Sequence, residues 1–303
     1  MRVFVTGAAG YLGSAITKAF VEAGHQVTGL HHSEESEARV RKLGATPVLG
    51  EMLEPSTYES EAAGHDAYVH VAFDYENPVA ADRETIEQML RLTGGAGARP
   101  PQIFLYTSGC WVLGNTGEAP VDEESGTTDE PADAVAWRPE HEELVLSAGT
   151  DRVPTVVIRP GMVYGGSGGL VVRFFESAEA TGAAEYVGDG ENRWSLVHRE
   201  DLGRLYVTIA EERAEGLFHG VAGVPVAVSE AARLASEAAG AGGETRPVPL
   251  EEAREELGPV ADAMTLDQAL ETSRAGEVGW EVEHSSFPES VDRAYAEWKA
   301  AGA

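Results

Sequence analysis

The chain has 303 residues, 51 acidic against 22 basic, a formal net charge of −29 and one cysteine. That balance excludes a nucleic-acid or anionic-membrane surface, both of which need basic stripes, and the lone Cys110 excludes an internal disulfide framework or a multi-cysteine zinc site. No apolar run long enough to span a bilayer and no signal-like leader stands out, so the expected location is the cytoplasm.

Lys18, Lys42 and Lys299 are the only lysines. Such an acidic surface suits a salt-rich cytoplasm, where screening relieves self-repulsion; a high-GC coding bias would also produce it. In chain order, residues 2–6 form a β-branched and aromatic run ending in glycine, residues 14–23 a helical pattern closed by Gly24, and residues 26–30 a second strand. Further strand-like runs cover 46–49, 67–71, 103–106 and 155–158, with helical patterns at 83–92 and 140–147. Strands alternating with helices predict an α/β fold, a doubly wound parallel sheet of the Rossmann type. After Arg159-Pro160-Gly161 the pattern turns helical, at 171–181, 201–212, 229–239 and 288–300, with glycine-rich joints at 165–169, 188–190 and 239–243. The expected division is a dinucleotide-binding domain over 1–165 and a smaller, mostly helical substrate lobe over 166–303, some of whose segments return to the sheet. Residues 122–133 are acidic and aperiodic and read as a surface loop.

The stretch Thr6-Gly7-Ala8-Ala9-Gly10-Tyr11-Leu12-Gly13 places three glycines between a strand and a helix. Gly7 permits the tight turn, Gly10 lets the backbone approach a pyrophosphate, and Gly13 lets the helix lie close on the strand; the helix N-terminus then presents N–H groups to the phosphates. At the end of the second strand, where a carboxylate would hold the ribose of NAD, stand His31, His32 and Ser33. Their donors suit a 2′-phosphate and favour NADP, with His32 and Ser33 as its contacts, while Glu34 and Glu35 keep NAD open. A metal reading of the histidine pair lacks a third ligand, and no metal is expected.

With these motifs the chain resembles the extended short-chain dehydrogenase/reductases of the NAD-dependent epimerase/dehydratase-like group. The resemblance rests on the glycine stretch at 6–13, Gly50-Glu51-Met52-Leu53, Val69-His70-Val71-Ala72, Tyr106-Thr107-Ser108-Gly109, and Arg159 to Gly165. It continues through Asn192-Arg193-Trp194, Val197 to Asp201, and Gly279-Trp280. It implies cofactor contacts from Thr6, Gly7, Gly10, Tyr11, Leu12, Gly13, Glu51, Met52, Ala72, Arg138, Pro160 and Val163. Active members carry a Tyr-x-x-x-Lys pair; here Ala134 falls at the tyrosine position and Arg138 at the lysine position, and the family's catalytic Ser/Thr position falls on Gly109, beside Ser108. The resemblance is therefore to atypical members. Arg138 can bind the nicotinamide ribose or a substrate anion but cannot act as a base. The catalytic candidates are Ser108, Arg138 and Tyr164. Substrate contacts are expected from Ser108, Trp111, Arg193, Trp194 and His198, with Trp137 as a further wall and His198 as a proton donor of suitable pKa. Asp201 reads as the N-cap of a helix starting at Leu202.

The function expected is an NAD(P)-dependent oxidoreductase acting on a small carbonyl or hydroxyl substrate. A cofactor-binding sensor or binding module without turnover is one alternative, motivated by the missing tyrosine, and a nucleotide-sugar epimerase or dehydratase is another, favoured by Arg193. The partner expected is a small molecule; a homodimer stays open.

Overall fold

The computed structural model describes residues 1–94, 102–126 and 130–302. Its strands, in chain order, are β1 (Arg2–Thr6), β2 (Gln26–His31), β3 (Thr46–Leu49), β4 (Ala67–His70), β5 (Ile103–Thr107), β6 (Thr155–Pro160), β7 (Met162–Tyr164), β8 (Ala184–Val187), β9 (Arg193–Trp194), β10 (Leu196–His198), β11 (Gly216–Gly220), β12 (Val226–Ala227) and β13 (Thr245–Val248). The helices are α1 (Tyr11–Glu22), α2 (Glu34–Lys42), α3 (Glu59–Ala62), α4 (Pro78–Gly94), α5 (Arg138–Ser147), α6 (Val172–Thr181), α7 (Arg199–Glu212), α8 (Val228–Ala238), α9 (Leu250–Leu257), α10 (Pro259–Met264), α11 (Arg274–Glu277) and α12 (Phe287–Gly302).

Seven strands make one sheet in the order β3-β2-β1-β4-β5-β6-β11, every neighbouring pair parallel. The winding reverses between β1 and β4, whose carboxyl ends meet with Thr6 opposite His70. A crevice outside the strand ends at such a reversal is where doubly wound sheets bind ligands. The central strands read as continuous apolar runs because both faces are covered. On one face α1 and α7 bury Ile16, Phe20, Leu202, Leu205 and Ile209, and on the other Tyr58, Ile86, Met89 and Val145 pack from the turn before α3, from α4 and from α5. Helices α1 and α7 approach closely because Gly203 has no side chain: a Cβ there would lie 2.8 Å from the Ala15 carbonyl oxygen.

The chain leaves the sheet after β6, returns with α7 and β11, and leaves again. The excursions build a second core around Phe174, Trp194, Ala231, Met264 and Phe287. This lobe is less helical than its sequence suggests, since it holds three two-stranded ladders, β7–β10, β8–β13 and β9–β12. Cys110 is a free, buried thiol in this core, and burial pushes its pKa up to about 12.

One expectation is corrected. Asp201 is not an N-cap: α7 starts at Arg199 and is capped by His198, whose ring accepts from the Glu200 N–H. Asp201 instead lies buried inside α7 and accepts from the Glu283 N–H (2.8 Å), the His284 N–H (3.0 Å) and His284 Nδ1 (2.9 Å), which pins the segment before α12. Burial alone would raise its pKa, but these donors and Arg204 hold it below the usual value. The described part of the acidic segment is a surface loop as expected, and it is tethered. Val121 bridges to Leu270, and the half-buried Glu123 carboxylate accepts from the His219 N–H, the Thr272 hydroxyl and Ser273. Residues 127–129 of that stretch lie outside the described residues.

Candidate active site

The glycine turn joins β1 to α1. Gly7 has φ +68°, and a Cβ there would sit 2.7 Å from Ala72 Cα, while one at Gly13 would sit 2.0 Å from the Gly7 carbonyl oxygen. Both positions are closed to any side chain. Gly10 is different, because its Cβ would meet only the Gly7 oxygen, at 3.1 Å, and otherwise open space. It caps α1 without a side-chain hydrogen bond, and the first turn holds no acidic residue. The amino end of α1 thus faces an open cradle with unpaired N–H groups and the positive end of the helix dipole, which suits a phosphate. Thr6 fixes the turn to the switch point, its hydroxyl 2.7 Å from His70 Nδ1 and accepting weakly from the Val71 and Ala72 N–H groups. Tyr11 donates to the Gly165 carbonyl at 3.0 Å beneath the Arg199 guanidinium, and burial raises its pKa. Leu12, Met52 and Val163 are half-buried, Pro160 is buried at the end of β6, and Glu51 is exposed beyond β3.

At the end of β2 the Ser33 hydroxyl caps α2, accepting from the Ser36 N–H and touching the Ser36 hydroxyl at 2.8 Å. That bond commits Ser33 to the helix, so among the residues read as 2′-phosphate contacts His32 has the exposed side chain.

The carboxyl end of β5 carries the second half of the site. Ser108 is held by its N–H to the Ile158 carbonyl at 2.8 Å; its hydroxyl is buried without a hydrogen-bond partner, as is Trp111 Nε1 on the following turn. Arg138 opens α5, and its Nη1 donates to the Thr107 carbonyl at 3.0 Å, one residue before Ser108. The guanidinium lies 5.0 Å from the Trp137 ring centroid and 5.7 Å from that of Phe73. One turn on, Glu142 grips Arg159 at 2.6 Å in a nearly buried pair that locks α5 to β6. Ser108, Trp111 and Arg138 therefore share one sheet edge with Ala72 and the glycine turn.

Beneath Arg138 is a cluster that the sequence reading missed. Asp82 Oδ2 accepts from His141 Nδ1 at 2.6 Å and from the Tyr106 hydroxyl at 2.9 Å. His70 Nε2 comes within 3.2 Å of Oδ1, at an angle too poor for a hydrogen bond. Since Thr6 meets the other side of the His70 ring, the cluster connects the glycine turn to α5. The signal was available: Asp82 interrupts the buried stripe Ala81, Thr85, Ile86 and Met89 of α4.

Four expected contacts lie elsewhere. Tyr164 is 1% exposed, edge-on to His198 and Phe287, and burial pushes its pKa up to about 12; it is packed in the lobe rather than set to hand over a proton. Trp194 is fully buried, stacked on Phe174, with Nε1 donating to the Met264 carbonyl. Arg193 pairs with Asp267 at 2.7 Å and donates to the Gly117 and Glu118 carbonyls, a clasp between loops. His198 is fully buried; besides capping α7 it reaches Glu297 at 3.1 Å and stacks on His284 with centroids 3.6 Å apart and planes 20° apart. His198, His284 and Glu297 cluster closely, but most of their ring nitrogens already have protein partners: His198 Nδ1 accepts from the Glu200 N–H, its Nε2 meets Glu297, and His284 Nδ1 meets Asp201.

The family model for the NAD dependent epimerase/dehydratase family matches residues 3–220. The chain belongs to that family. An uncharacterised protein of Schizosaccharomyces pombe is 30% identical, over 95% of this chain and 97% of that one. A 4-hydroxy-2-methyl-3-oxo-4-farnesyl-3,4-dihydroquinoline-1-oxide ketoreductase of Stigmatella aurantiaca is 27% identical over 84% of this chain and 78% of its own. In fold the family member is similar to a human epimerase family protein solved with NADPH, with a TM-score of 0.76, 19% identity, and 98% and 99% of the two chains covered. Among the described residues no helix is long and apolar enough to cross a membrane.

Proposed function

We propose that this family member is a cytoplasmic NAD(P)-dependent oxidoreductase of a small carbonyl or hydroxyl substrate, with NADP preferred. The observation that carries the reading is the open face of Gly10 at the head of a helix with no side-chain cap, beside the sheet's switch point. A bound nicotinamide supplies or accepts hydride. The chain's own residues do the rest. The α1 N–H groups hold the pyrophosphate, Thr6 and Ala72 shape the turn around it, and His32 meets the 2′-phosphate. Arg138 anchors from the β5 side and stabilises negative charge, while Ser108 offers a hydroxyl to the substrate oxygen. The Stigmatella relative, named as a ketoreductase, supports the carbonyl chemistry, and the human protein solved with NADPH supports the cofactor.

Binding without turnover is the second reading, favoured by the seclusion of Tyr164 and His198 from the site. Titration of NADPH into the wild type and Gly10→Val tests the shared part: the variant should keep its fold and lose binding, because a side chain would fill the cradle. Equal affinity in both would defeat the assignment. Absorbance at 340 nm with a carbonyl panel then separates turnover from sensing.

A further inference from the structure

Arg138 stands out in a chain with so large an acidic excess. Most arginines here find a carboxylate, and the acids around this one are taken: Glu140 by Arg83 at 2.8 Å, Glu142 by Arg159 at 2.6 Å, Asp82 by His141 at 2.6 Å. Among the described residues none of these ion pairs includes Arg138. The residue is half-buried, its guanidinium spends Nη1 on one carbonyl, and Nε is buried without a partner. A desolvated cation with unspent donors is costly unless a ligand completes it. Beside it Ser108, 6% exposed, holds a hydroxyl with no partner, and Trp111 Nε1 is a second unspent donor on the same stretch. Every orphan here is a donor or a hydroxyl. The rim, by contrast, is apolar: Phe73 is 41% and Tyr75 90% exposed, their rings 5.0 Å apart edge-to-face, and Phe73 also lies over the guanidinium.

Resting on the oxidoreductase reading, we propose that the substrate is an oxo acid with an apolar tail, its carboxylate bound by Arg138, its carbonyl oxygen facing Ser108, and its tail against Phe73 and Tyr75. The planar guanidinium fork matches a carboxylate, and the closeness of Arg138 to Ser108 calls for a carbonyl one or two carbons away, as in 2-oxo and 3-oxo acids. In the reduction the carbonyl carbon receives hydride and forms a C–H bond, and the C=O π pair moves to oxygen. That oxygen takes a proton from water. The product is a hydroxy acid and the reduced nicotinamide becomes oxidised. Arg138 stabilises the developing charge without giving up a proton, because a guanidinium keeps its charge in proteins.

The experiment compares 2-oxo and 3-oxo acids with their methyl esters, using NADPH and the wild type, Arg138→Gln and Arg138→Lys, with circular dichroism as the fold control. Wild-type kcat/KM should favour acid over ester by about tenfold to a hundredfold, the range for a hydrogen-bonded charge. Arg138→Gln should erase that preference and Arg138→Lys retain part of it. Calorimetry with the product hydroxy acid and NADP should show the same order of affinity without turnover. Equal use of acid and ester by the wild type, or an equal loss on both in Arg138→Gln, overturns this inference while leaving the oxidoreductase reading standing. NADPH binding with no reduction of either series overturns this inference, and no reduction across the wider carbonyl panel overturns the oxidoreductase reading as well.

Discussion

Truncating Asp82 tests whether a buried carboxylate organises the floor of the site. It accepts from His141 at 2.6 Å and Tyr106 at 2.9 Å, with His70 3.2 Å away, and is 3% exposed. Asp82→Ala strands these groups, and breaking a buried ionic cluster from one side costs about 3–5 kcal/mol. Asp82→Asn should lose only about 2 kcal/mol, because the amide oxygen still accepts both bonds without charge and His70 can change tautomer to accept the amide N–H. Burial alone would raise the Asp82 pKa, but the bond from His141, the His70 ring close by and the Arg138 charge hold it well below the usual carboxylate range. With a depressed native pKa, the unfolded chain takes the proton first. The stabilisation is therefore complete above the ordinary aspartate pKa of about 4 and drains away as the pH falls towards the native value. Urea unfolding from pH 7 down to about pH 3 should show the gap between wild type and Asp82→Asn narrowing below about pH 5. A loss under about 1 kcal/mol for Asp82→Ala at pH 7, or a gap that stays constant into acid, would mean that Asp82 does not organise this floor.

His32→Asp should shift preference from NADP towards NAD by about 1–3 kcal/mol, the value of charge-assisted bonds to an exposed phosphate, read as paired dissociation constants; a wild type that already prefers NAD contradicts the assignment. Raising potassium chloride to molar levels should raise the melting temperature strongly if the −29 charge is salt adaptation, because repulsion is screened; a flat response points to coding bias.

The sheet was legible because its strands are covered on both faces and so read as unbroken apolar runs, and the glycine turn because its three positions have distinct steric jobs. The return strand β11, Gly-Leu-Phe-His-Gly, was not, since its glycine ends read as loop and its place depends on a long excursion through the lobe. The lobe ladders have strands of two to four residues, too short to show alternation. Site residues divided along the same line. Glycine positions follow from local backbone geometry, whereas Trp194 and His198 look like site residues in sequence and turn out to be a core ring and a helix cap, roles set by tertiary partners. Asp82 and His141 belong to different helices and meet only once both have docked on the sheet.

On the alignment that the family resemblance implies, with Ala134 at the tyrosine position and Arg138 at the lysine position, one substitution does not restore the pair. A Tyr-x-x-x-Lys pair works when both residues lie on one helix, because positions four apart share a face. Here that helix begins only at Arg138, with Pro139 fixing its first turn, while Ala134 lies on a separate 3₁₀ turn, Asp133–Val135. A tyrosine placed at 134 would not be carried over Arg138 by helical geometry, and arginine would not lower its pKa with a lysine's reach and point charge. Well-placed general acids contribute about a hundredfold to ten-thousandfold. Ala134→Tyr should nevertheless change kcat by less than about threefold on any substrate the wild type reduces, and the pH profile should gain no new basic limb. A gain of a hundredfold with a new tyrosine-like ionisation would mean that residues 134–138 become helical in the working complex, and the proton would then have a protein donor rather than water.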